Sequence, residues 1–73
     1  MNEEVLRVIH DEVHRFGVGR MATMMGLTER MLYNKVNPHT EEHALTTAQI
    51  MQVISITGSA LILSAMARSA GLS

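Results

Sequence analysis

The chain has 73 residues, a formal net charge of -1, 47% apolar residues, 3% aromatics and no cysteine. This length sets a single domain as the upper bound and leaves a small core short of stabilisation. The lack of cysteine excludes disulfides and thiolate zinc sites as staples. The near-neutral charge excludes a uniformly basic nucleic-acid binder, and the core has to be assembled from Met, Leu, Ile, Val and Ala. Self-association is the remaining common staple, and the seven methionines suit adaptable interfaces as well as irregular core gaps.

In chain order, Met1 to Phe16 reads as a first helix, with Asn2 as N-cap and Glu3 and Glu4 in the first turn, where the helix dipole favours acids. Val5, Ile9, Val13 and Phe16 recur at helical spacing with Leu6 beside them. Arg7, Asp11, Glu12 and Arg15 are expected on the solvated side, and Gly17 ends the helix. His10 and His14 stand four apart and share a face. They lack a third ligand and the Glu of the zinc-hydrolase pattern, so no metal is expected there.

Val18 to Met25 reads as a second helix with Met21, Ala22, Met24 and Met25 as its apolar positions. Gly26 supplies the left-handed turn, Leu27 packs inward, and Thr28 can cap the next helix. Thr28 to Val36 reads as the third, with Leu32 and Val36 buried, Met31 at the edge of that stripe, and Glu29, Arg30, Tyr33, Asn34 and Lys35 outward. Pro38 stops it. Pro38 to Leu45 is a polar loop in which His39 and His43 are expected to be solvated.

Thr46 to Thr57 reads as a fourth helix, opened by a Thr46–Gln49 capping box with Leu45 stapling onto Ile50. Ala60 to Ala70 reads as a fifth, capped by Ser59. Between Glu42 and the C-terminus, Arg68 is the one charged residue, taking His as neutral. A helix apolar on most sides must be buried on most sides, so part of this half is expected to meet another subunit. The uncharged run Ala44 to Ala67 is long enough to span a bilayer. The Thr57-Gly58-Ser59 turn, the polar Gln49, Gln52, Ser55 and Ser64, and the capping box argue against that. The acidic start at Asn2-Glu3-Glu4 is unlike a signal peptide, so cytoplasmic residence is expected.

The sequence has no nucleophile elbow, P-loop or zinc-hydrolase helix, so no enzyme, cofactor or small-molecule substrate is expected. The stretch Ala22 to Asn37 instead meets the demands of a helix-turn-helix. Ala22 is the small residue where the helices cross, Gly26 the turn, Leu27 the apolar residue after it, and Leu32 and Val36 the inner face of the second helix. Arg15, Arg20, Arg30 and Lys35 against Glu29 make this region a basic island between acidic flanks. Arg30 and Asn34 are four apart on one face and are suited to read guanine and adenine. Arg20, Tyr33 and Lys35 suit phosphate contacts, and Thr28 suits either.

The run from Met21 to Leu45 resembles the N-terminal region of the CII-type regulatory proteins of temperate phages. The likeness lies in the small residue and glycine of the turn, in Leu32, Lys35, Val36, Asn37 and Pro38, and in Leu45-Thr46 opening the next helix. It extends to about Ala67. The helix pair alone is also similar to the Fis-type DNA-binding end of many bacterial regulators. The resemblance implies a transcriptional regulator of the lysis–lysogeny decision, found also in prophages. Family members continue with sequence linked to self-association where this chain ends at Ser73, which leaves open a minimal member or a shortened one.

The expectation is therefore an all-α single domain, 1–73, of about five short helices with a helix-turn-helix. Residues 46–71 would form the helical core and oligomerisation segment. The expected function is sequence-specific binding of double-stranded DNA by a homo-oligomer (dimer or tetramer), with helix 28–36 reading the major groove. The rival is a helical protein-interaction module acting through the uncharged C-terminal half.

Overall fold

The first helix, α1 (Glu3–Phe16), is strongly amphipathic. Val5, Ile9 and Val13 recur every four residues and are all buried, which is the stripe that a 3.6-residue period places on one side. The structure, a computed structural model, describes residues 3–39 and 44–71. The expected N-cap Asn2, His43 and the acidic pair Glu41-Glu42 lie outside these residues.

Four helices follow, α2 (Val18–Met25), α3 (Glu29–Val36), α4 (Thr47–Thr57) and α5 (Ala60–Ser69), and no strand occurs among the described residues. The chain is all-α. α1 packs against each of the other four helices. The core joins its stripe to Met21 and Ala22 of α2, Leu32 and Val36 of α3, Ile50 and Val53 of α4, and Ile62 and Ala65 of α5.

The helix ends follow local chemistry. Gly17, at φ 119°, separates α1 from α2. Its N–H donates to Val13 O and its carbonyl accepts from Met21 N, both at 2.9 Å, so one residue closes the first helix and opens the second. The Thr46–Gln49 capping box forms as expected: Gln49 N donates to Thr46 Oγ1 at 3.1 Å and Thr46 N to Gln49 Oε1 at 3.0 Å. Leu45 packs against the core, and it lines a small cavity together with Ile50.

Two readings of the sequence are corrected. Glu12 is not solvated: it is 7% exposed. The Ser59 hydroxyl donates to its Oε1, and Arg15 Nη2 lies 2.8 Å from its Oε2. Ser59 Oγ also accepts from Leu61 N at 3.1 Å as the N-cap of α5. A buried carboxylate therefore sits at a helix N-terminus with partners for both oxygens, which offsets its desolvation. Second, Met31 is exposed instead of completing the α3 stripe. The C-terminal half keeps apolar surface uncovered, the kind of surface expected to meet another subunit. Of α5 only Ile62 and Ala65 are buried, whereas Leu61 and Leu63 stay about half exposed and Met51 of α4 is 65% exposed. The helices available in this chain do not suffice to cover them. No helix among the described residues is long and apolar enough to cross a membrane.

α5 runs antiparallel to α1. Its start is tied to Glu12, while near its end Arg68 Nη2 and Nε approach Glu4 Oε1 at 2.7 and 2.8 Å. The two clasps differ in weight because one is buried and the other is in water. Glu12→Ala is expected to cost about 1–3 kcal/mol, a fall of about 4–8 °C in midpoint per kcal/mol for a chain of this size. Arg68→Ala is expected to cost at most about 1 kcal/mol. Thermal unfolding of the two variants side by side checks this.

Candidate nucleic-acid interface

α2 and α3 meet at a tight turn whose residues do distinct jobs. Gly26 takes φ 72° and ψ 26°, the left-handed conformation that side chains disfavour. Its N–H donates to Thr23 O at 3.3 Å, and Leu27 N donates to Ala22 O at 2.9 Å, closing the last carbonyls of α2. Leu27 packs against the core. Thr28 then caps α3, its Oγ1 accepting from Met31 N at 3.1 Å.

On α3, Leu32 and Val36 face the core and are buried. The helical period therefore turns Arg30, Tyr33 and Asn34 to solvent, and all three are exposed. With Glu29 they line one open concavity. Glu29 marks its acidic edge and leans toward α2: a Cβ added at Gly19 would come within 3.3 Å of Glu29 Oε2. Arg30 makes no ion pair with any described residue, so its guanidinium remains available.

The six residues singled out from the sequence are thus partly gathered and partly dispersed. Arg30, Tyr33 and Asn34 share one surface. Thr28 sits at its N-terminal end with its hydroxyl engaged in the cap. Lys35 lies on the flank of α3, where it lines a separate cavity with Leu6, Ile9 and Val36. Arg20 stands at the start of α2 with its guanidinium carbon 4.7 Å from the centre of the Phe16 ring, a stacked cation–π placement that holds the arginine at the surface. Of the basic island, Arg15 pairs with Glu12. Tyr33 is 55% exposed, so packing leaves most of its ring free. What the sequence did not signal is a neighbour from α1: the His14 ring meets Tyr33 edge-on with centroids 5.8 Å apart. The His10–His14 spacing was visible, but its proximity to α3 is set by packing. Among the described residues no group of three or more acidic, His or Cys side chains is arranged to hold a metal.

An all-α chain in which a tight glycine turn joins two short helices, the second presenting an exposed polar face, falls in a class compatible with a helix-turn-helix. A family model, phage regulatory protein CII (CP76), matches residues 3–73, and the chain belongs to this family of phage regulatory proteins. No curated protein and no solved structure matched the chain.

The turn geometry carries a stability prediction. A Cβ at Gly26 would meet nothing within 4 Å, so Gly26→Ala should cost only the backbone penalty of the left-handed conformation, about 1–2 kcal/mol. Thr28→Ala should cost about 1 kcal/mol through the lost cap. Urea unfolding of the two variants measures both.

Proposed function

We propose that this chain is a sequence-specific DNA-binding transcriptional regulator of phage or prophage type, built as one domain, in which α3 enters the major groove. The observation that carries this reading is the placement of Arg30 and Asn34. They stand together on the exposed side of α3, opposite the buried Leu32 and Val36, and Arg30 has no ion-pair partner among the described residues. Arg forks onto guanine O6 and N7, and Asn bonds adenine N6 and N7 in the same two-point manner. Tyr33 beside them, and Arg20 and Lys35 on the flanks, supply phosphate contacts. Thr28 positions the N-terminal end of α3.

Membership in a family of phage regulators supports the same reading. The exposed Met51, Leu61 and Leu63 support self-association, because apolar surface of this kind on a small chain marks a contact. In a dimer or tetramer the two α3 helices would lie about 34–36 Å apart, one turn of DNA. The same three residues favour the second reading, a helical module that binds another protein through its uncharged C-terminal half.

Selection of bound sequences from random duplex DNA, run with sedimentation, tests the proposal. Recovery of a defined site by an oligomer is expected; no enrichment, with α3 buried in an oligomer contact, would favour the interaction module. On the selected site, Arg30→Ala and Asn34→Ala should each cost about 1–3 kcal/mol and relax base preference at one position. Lys35→Ala should weaken selected and random duplexes alike and reduce the salt slope by about 1. A monomer at high protein concentration would remove the interface role of α4 and α5.

A further inference from the structure

The imidazoles of α1 are organised, and neither belongs to the hydrophobic core. The rings of His10 and His14 stack with centroids 4.1 Å apart and a 32° tilt. His14 Nδ1 lies 2.9 Å from the carbonyl oxygen of His10. A carbonyl only accepts, so the proton sits on Nδ1, and Nε2 is the ring nitrogen left for an outside partner. The His14 ring then meets Tyr33 edge-on, and Tyr33 lines the concavity shared with Arg30 and Asn34. The ring is exposed, oriented by its contacts with His10 and Tyr33, and set beside Tyr33 of α3 from a different helix.

We infer that His14 is a DNA-backbone contact, its Nε2 donating to a phosphate oxygen next to the position Tyr33 reaches, with His10 as the residue that positions the ring. This rests on the DNA-binding reading of α3. A phosphate oxygen offers only lone pairs, so Nε2 must carry a proton while Nδ1 keeps its own. His14 is therefore an imidazolium against the phosphate in the complex, and its protonation favours binding. Imidazoles change charge between about pH 5 and 8, so affinity should fall as pH rises through that range.

The groups facing His14 allow this. On α1 they are His10 and, bonded to His10 Nδ1 at 3.0 Å, the carboxylate of Asp11, which offsets charge building up in the stacked pair. On α3 it is Tyr33, which itself shares a concavity with Arg30 and Glu29. Among the described residues α2, α4 and α5 place no charged group in hydrogen-bond, ion-pair or ring contact with it.

The test measures affinity of the whole chain for random and selected duplexes at about pH 6 and about pH 8, together with the imidazole titration of His14 by NMR with and without DNA. The wild-type protein should bind at least about threefold more tightly at the lower pH. His14→Gln should lose most of that difference and about one unit of salt slope at the lower pH, while Tyr33→Phe, which keeps the ring, should retain it. In the unsubstituted chain the His14 titration should move to higher pH when DNA is bound. An unchanged His14 midpoint, or a pH difference that survives in His14→Gln, overturns the inference while leaving α3 as the reader. No DNA binding at either pH overturns both.

Discussion

The fold depends on one stripe. Val5, Ile9 and Val13 on α1 are almost entirely removed from water, and α1 is the helix that every other helix touches. A chain of 73 residues without disulfides cannot divide its apolar surface among several cores. It gathers α2, α3, α4 and α5 around one helix instead. The orientation of α3 is a consequence: Leu32 and Val36 are drawn into the core shared with α1, and the opposite side of this eight-residue helix is left exposed.

The polar contacts refine what the stripe begins. Nonspecific burial of α5 would leave its register along α1 loose. The Glu12–Ser59 bond at one end and Arg68–Glu4 at the other remove that freedom. The buried member matters more, because a carboxylate taken out of water must keep its partners. Ser59 serves two roles, capping α5 and holding α1. The helix that carries the apolar C-terminal surface is thereby held in register with the helix that supports α3.

Much of this was legible in local chemistry. The five helices, the glycine turn at Gly26, the Thr28 cap and the Thr46–Gln49 capping box depend on neighbours within four or five residues. The exposed placement of Arg30, Tyr33 and Asn34 followed from the period that buries Leu32 and Val36. The exceptions share a cause. Glu12 looked like any acid on a solvated face, since its partner lies 47 positions away. Which side of α5 the core would take was not legible either, because apolar composition states what surface wants covering and not which neighbour covers it. The flank on which Lys35 stands, toward Leu6 and Ile9, had no local signal, because the packing of α1 on α3 sets it.

The sequence by itself determined the helices, their caps, the turn and the apolar stripes, because each is decided by side chains within one or two turns of one another. Only the tertiary structure decided that α1 is the centre, that Glu12 is buried, that Leu61 and Leu63 are left open, and that His14 stands against Tyr33. Those facts depend on which helices meet and at what register, and residues far apart in sequence carry no local signal of the neighbours they will have.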